Sequence, residues 1–260
     1  MVVSILPLKF LIEKIVGDDY AITVLVPPGS SPETYEPTPQ QLIAVSNASL
    51  VFTVGLIDFE HELISKATKS PENKIVNLSE GILLLSGCCG SAMHDHDGHH
   101  HHGVDPHVWT SPKQLKIMAA NAYQAIALLS PDNEKYETNY AKLQAQLDDL
   151  DAQVGRILEA SNVKHFFIYH PALTYYANDY GVEQVSIEHE GKEPSADQLR
   201  DLINLARSEN IDKILYQKEF SRSVVETIAK DIGAVPVEID PLAEDIAGSI
   251  IEITRHIAGK

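Results

Sequence analysis

Disulfide bonds cannot hold this chain together. Its two cysteines, Cys88 and Cys89, are neighbours in the sequence and have no distant partner to reach, and they leave the redox compartment undecided. Long apolar runs are missing as well: no stretch approaches the ~20 residues of a bilayer-spanning helix. The opening MVVSILPLKF has no basic segment leading into an apolar core and a small-residue cleavage site, so a secretory leader is expected to be absent from this sequence or already removed. Basic residues are scarce, 20 Lys and Arg against 37 Asp and Glu. The formal net charge of −17 argues against a nucleic-acid partner, because neutralising phosphates takes clustered Lys and Arg. An acidic field favours the approach of cations, though it serves solubility equally well. HExxH, GxSxG and phosphate-cradling glycine loops are all missing, which weighs against the hydrolase and nucleotide-binding classes that depend on them.

The rest is ordinary for a globular protein. With 260 residues, 44% apolar and 22% charged, the chain can build one large domain or two lobes of ~100–150 residues. Strand-like runs alternate with amphipathic helical runs, and they do so twice. In the first half VVSIL, AITVLV (21–26), LVFTVG (50–55) and KIVN (74–77) are separated by helical patterns near 7–17, 37–48 and 58–68. In the second, KHFFIY (164–169), EQVSI (183–187), KILY (213–216) and VPVEI (235–239) alternate with helices near 171–180, 195–209, 221–232 and 243–258. Such alternation predicts parallel sheets with helices on both faces, here in two α/β lobes.

Between the halves, Ser130 reads as an N-cap and Pro131 as a first helical residue. Tyr136, Tyr140, Leu143, Leu147, Leu150, Val154 and Ile157 then follow one apolar stripe. The pattern predicts a helix of about 28 residues, roughly 40 Å long. No Gly/Ser-rich linker interrupts it, so a stiff connection is expected. The division read from these patterns is an N-terminal α/β lobe over 1–129 that carries a His-rich loop at 86–105, a linking backbone helix over 130–161, and a C-terminal α/β lobe over 162–260.

Ligands of parallel α/β sheets bind beyond the carboxyl ends of the strands. KHFFIY runs into His170, VPVEI into Asp240, and AITVLV into PPGSSPETYEP, which carries Glu33 and Glu36. His107 lies in DPHVWTSP, just before a helix with Ser111 as its expected N-cap. Two imidazoles and two carboxylates make a plausible divalent-metal site. Taken singly, each has a bland reading: a strand-end or loop histidine, a turn aspartate, a loop acid.

Six fragments order these residues. PETYEPTPQQL, VFTVGLIDFEHEL, DPHVWTSP, YHPALTYYANDYG, EPSADQL and IDPLAED follow one another over nearly the whole chain. Together they resemble the metal-specific solute-binding proteins of ABC transporters (cluster A-I), a group that includes zinc- and manganese-uptake proteins and adhesin lipoproteins. The resemblance implies two α/β lobes, each with a parallel sheet flanked by helices, joined by one long rigid helix, with one divalent cation between them and no enzymatic activity. By position it implies metal ligands at His107 in DPHxW, His170 in HxAxxYxAxxYG and Asp240 in DPL. The first ligand departs from the family pattern PHxYEP, because Glu33 stands where a histidine is usual. A carboxylate can serve there, since Glu oxygens bind such ions at about 2.0–2.2 Å. Glu36, Tyr35 and Glu193 are candidates for hydrogen bonds that orient the imidazoles, and each could equally be a loop or helix-start residue.

His94, His96, His99, His100, His101 and His102 fall outside that ligand set. They resemble the His/Asp-rich loop of many zinc-uptake members and are expected to chelate metal weakly, with Cys88 and Cys89 as simple loop thiols. The ligand set suits Mn²⁺ or Fe²⁺ as well as Zn²⁺, while the His-rich loop favours zinc. The expectation is therefore a monomeric zinc-binding protein of the periplasm or cell envelope, lipid-anchored in some relatives, that delivers its ion to an ABC permease. Glu33 and Asp240, both on loops after strands, are the expected releasing ligands. A manganese- or iron-specific member is the alternative. Two rivals come from other classes: a hydrolase with Glu36 as general base, and an adhesin, which would need a large exposed apolar patch.

Overall fold

The computed structural model describes residues 1–67, 74–87, 103–188, 192 and 194–259. The chain divides into two compact units. The first comprises Met1–Leu83, Val108–Ala152 and Leu242–Gly248; the second comprises Leu84–His107, Gln153–Pro241 and Ser249–Lys260.

In the first unit, β1 (Val2–Val3), β2 (Thr23–Val24), β3 (Leu50–Thr53) and β4 (Lys74–Asn77) form a parallel sheet in the order β2-β1-β3-β4. Val2 faces Thr23 on one side and Val51 on the other, and Phe52 faces Val76. All four residues of β3 are buried, as a strand covered on both faces requires. Around the sheet lie α1 (Leu6–Val16), α2 (Pro39–Asn47), α3 (Asp58–Ala67) and α4 (Pro112–Leu129). Leu8, Leu11, Ile12 and Ile15 put the apolar stripe of α1 into the core. Thr38 and Gln41 close the start of α2 as a capping box.

The expected long helix is present as α5 (Glu134–Ser161), but Ser130 and Pro131 do not start it. Ser130 ends α4 instead, its N–H donating to Ile126 O at 2.9 Å. Asp132 then adopts φ 62°, a left-handed conformation that cannot continue a right-handed helix. The new helix begins only where Asn133 Oδ1 accepts from Lys135 N–H at 3.2 Å. The predicted stripe is buried from Tyr136 through Leu143, Leu147, Leu150 and Val154, and the final buried position is Leu158 rather than Ile157. An α-helix of 3.6 residues per turn drifts ~20° per heptad against a strict 3.5 repeat, which moves the seam by one residue. α5 belongs to the first unit as far as Ala152 and to the second from Gln153.

The second unit repeats the design. β5 (His165–Ile168), β6 (Glu183–Ser186), β7 (Lys213–Gln217) and β8 (Val235–Ile239) are parallel in the order β6-β5-β7-β8. They are joined by α6 (Thr174–Tyr180), α7 (Ala196–Glu209) and α8 (Arg222–Ile232), and α9 (Ile246–Ile257) closes the chain. Phe167, Ile214 and Tyr216 of the sheet pack with Leu202 and Ala206 of α7 and Val225, Ile228 and Ile232 of α8. Each fully buried aliphatic or aromatic side chain there contributes about 1.5–3 kcal/mol. α8 stops at Gly233, whose φ of 83° suits glycine. The α/β expectation thus holds: two sheets of four parallel strands, each flanked by helices. No described helix is long and apolar enough to cross a membrane.

Candidate metal centre

Because all four strands of the second sheet run the same way, their carboxyl ends share one edge. Four chain segments leave that edge: Tyr169-His170 after β5, Ile187-Glu188 after β6, Lys218 after β7 and Asp240 after β8. His107 reaches the same unit by another route. Residues 85–87 and 103–105 pair as a short antiparallel ribbon, with Gly87 N–H donating to Gly103 O and Asp105 N–H to Leu85 O, both at 2.9 Å. Tyr175 of α6 locks this ribbon, its hydroxyl accepting from Leu85 N–H at 3.2 Å and donating to Asp105 O at 2.9 Å. The helix that follows His170 therefore holds the strand that leads to His107.

The two rings meet edge to face, with centroids 5.3 Å apart and planes at 72°. A ligand nitrogen of each lies within 4.8 Å of the other. Two nitrogens on one tetrahedral Zn²⁺ at about 2.0–2.1 Å sit roughly 3.3 Å apart, so the pair is near coordinating distance. Each ring is oriented by a buried carboxylate. Asp105 Oδ1 accepts from both the backbone N–H of His107 (2.7 Å) and its ring Nδ1 (2.8 Å). Glu188 Oε1 accepts from His170 Nδ1 at 2.7 Å. A carboxylate only accepts, so Nδ1 carries the proton in both rings and Nε2 keeps its lone pair. Burial alone would raise the Asp105 carboxyl. The charge and hydrogen bonds of His107, with the Thr174 hydroxyl, outweigh it and hold the group below its ordinary value. Phe220 stacks on the His170 ring at 5.3 Å and 26°, and Gln217 Nε2 donates to His170 O at 2.8 Å.

Asp240 directly follows β8. Its Oδ2 accepts from Lys218 Nζ at 2.5 Å. Beside it, the Glu219 carboxyl is pushed up, by burial first and then by the negative charge of Asp240 and Glu238. Glu33 belongs to the first unit, where it is the middle residue of the 3-10 turn Pro32–Thr34, exposed, with its N–H on Ser31 Oγ at 3.3 Å. In the same loop Tyr35 donates to Gln41 Oε1 at 2.8 Å and rests edge-on against Phe59, a structural role. Glu36 is exposed. Glu193, Cys88, Cys89 and the histidines at 94, 96 and 99–102 lie outside the described residues.

A family model described as "Zinc-uptake complex component A periplasmic" (ZnuA) matches residues 1–259. The chain belongs to this family. Among relatives, it is 32% identical over 244 residues to the high-affinity zinc uptake system protein ZnuA of Bacillus subtilis (strain 168), covering 90% of this chain and 75% of that protein. A crystal structure of ZnuA superposes with a TM-score of 0.88 at 36% identity, covering 99% of this chain and 97% of that one. A zinc-bound deletion mutant of ZnuA gives 0.87 at 37% identity, covering 99% and 95%.

Membership in the ZnuA family makes the chain a metal-binding component of a transport system rather than an enzyme, and the hydrolase and manganese readings are not favoured. A zinc-uptake complex also implies two partners, the metal ion and an ABC permease, and the family is periplasmic. Sequence reasoning pointed to the imidazoles but missed Asp105 and Glu188. Asp105 carried a local signal, an Asp two residues ahead of His107 able to fold back onto its N–H. Glu188 would have emerged had the strand-end rule been applied to β6 as well as to β5 and β8.

Proposed function

We propose that this chain captures zinc on Nε2 of His107 and His170, takes a third donor from the Glu33 carboxylate, and hands the ion to its permease. One observation carries the reading: two imidazoles 5.3 Å apart, each with Nδ1 engaged by a buried carboxylate. Such outer partners fix the tautomer and raise ligand basicity, a design of metal sites rather than of core histidines. Glu33 is supported by its place on the loop after β2, where its carboxylate stands in for the family histidine. Asp240 becomes a fourth donor only where its bond to Lys218 gives way. Zinc is favoured by the two nitrogen donors and by the zinc named for the relatives. The tract His94, His96 and His99–His102 is proposed, on sequence alone, as a second and weaker binding region.

Metal-free protein titrated with zinc against a competing chelator tests this. We expect one tight equivalent that survives deletion of residues 93–102, with weaker equivalents lost in that deletion. His107→Ala and His170→Ala should each lower the tight affinity by at least about 100-fold, more than the ~10–100-fold typical of losing an outer partner. Undiminished tight binding in either variant would overturn the assignment.

A further inference from the structure

Asp105 aims the His107 ring, and it is itself gripped from several sides. Its N–H donates to Leu85 O at 2.9 Å, and its carbonyl accepts from the Tyr175 hydroxyl at 2.9 Å. The Thr174 hydroxyl bonds to its carboxylate. Thr174 and Tyr175 are the first two residues of α6, the helix that opens just beyond His170. The buried Gln184 of β6 fixes that opening: its Oε1 accepts from Leu173 N–H at 2.7 Å, and its Nε2 donates to Thr174 Oγ1 at 3.1 Å. A carboxylate only accepts, so Thr174 takes a proton from Gln184 and gives its own to Asp105. All of these residues belong to the second unit.

We propose that Thr174 and Tyr175 are positioning residues that lock His107 to His170 as one preformed pair of nitrogen donors, and so raise zinc affinity. The proposal rests on the metal-capture reading above. The two rings come from distant parts of the chain, and α6 gives them a shared support. His170 leads into that helix, and Asp105 hangs from its first turn. A site whose donors already stand in place loses less conformational freedom when the ion binds. Removing either hydroxyl frees Asp105 to shift, and the ring that it holds shifts with it. His170 is aimed separately by Glu188, so its own orientation should survive the change.

The test uses the metal-free full chain with Tyr175→Phe, Thr174→Val, Thr174→Ser and Tyr176→Phe. Tyr176 is the control: it follows Tyr175 in α6, is as deeply buried, and donates its hydroxyl proton to Thr254 Oγ1 at 2.9 Å rather than to the ribbon. Zinc is titrated against a competing chelator, and two-bond ¹H–¹⁵N spectra at one fixed pH report which nitrogen of each imidazole carries the proton. Tyr175→Phe and Thr174→Val should each lower zinc affinity about tenfold, the lower end of the effect of losing an outer partner. In both, His107 should lose its single Nδ1-protonated form while His170 keeps it. Thr174→Ser should restore both readouts, and Tyr176→Phe should leave both at the wild-type level whatever it costs in melting temperature. If Tyr175→Phe does not fold, Thr174→Val carries the same decision. An unchanged affinity or an unchanged His107 tautomer in Thr174→Val, a loss that persists in Thr174→Ser, or an equal loss in Tyr176→Phe overturns the proposal. Failure of the wild-type chain to bind zinc overturns the capture reading instead, and the His107 tautomer of the metal-free chain still decides what the two hydroxyls do.

Discussion

The two units bury carboxylates beside the ends of their sheets for opposite purposes. In the first, Glu60 of α3 is fully buried and accepts from the backbone N–H groups of Val54 (2.8 Å), Gly55 (2.7 Å) and Ile57 (3.4 Å). It ties down the loop after β3, whose Gly55 has φ 84° and lies so close to Asn77 that a Cβ would fall 2.2 Å from Asn77 Oδ1. In the second unit, Asp105 and Glu188 accept from imidazole Nδ1 atoms. Burial is the first influence on both Glu60 and Asp105. Glu60 ends above its ordinary value despite its backbone donors and the Ser4 hydroxyl, while Asp105 ends below because a basic ring faces it. A carboxylate given to backbone N–H groups fixes a loop; one given to a ring nitrogen aims the opposite nitrogen. Burial alone does not separate structure from function, but the partner does.

The comparison breaks most visibly at Glu60. Glu60→Ala leaves three backbone donors without their acceptor, each worth ~1–3 kcal/mol when buried, and should cost on the order of 4 kcal/mol by urea unfolding. Zinc affinity of the folded fraction should stay at the wild-type level. Glu188→Gln should do the reverse, lowering zinc affinity ~10–100-fold while the melting of the metal-free protein barely moves. A large stability loss with intact binding in Glu188→Gln would erase the distinction between the two carboxylates. The smallest effect is in pH dependence. Between the ordinary carboxyl value of 4.5 and the raised value of Glu60, the folded chain binds more protons than the unfolded one. Stability from this group therefore falls as pH rises through that window. The stability difference between wild type and Glu60→Gln should shrink with rising pH there, and a difference that grows would contradict the assigned shift.

Much of the fold is legible because it depends on local pattern. The apolar runs that became β3, β5 and β7 and the stripe of α5 are periodicities that hold whatever surrounds them. Ser130-Pro131 misled because the same pair that can open a helix here lies between two helices. The left-handed turn at Asp132 decided the matter. His107 and His170 were legible through strand-end position and family motif. Glu60 was not, since one acid in an amphipathic helix reads as a solvated face until the loop that wraps it is known. Lys218 was invisible for a similar reason: its partner Asp240 lies 22 residues away and is reached only through the register of β7 and β8.

The central claim is that one zinc ion is held by Nε2 of His107 and Nε2 of His170. Anomalous scattering above and below the zinc absorption edge, from crystals of the zinc-loaded chain, measures this directly. The account predicts a single strong peak at about 2.0–2.1 Å from both Nε2 atoms, with each Nδ1 still on its carboxylate. A peak bonded through Nδ1, or no peak between the two rings, would contradict it.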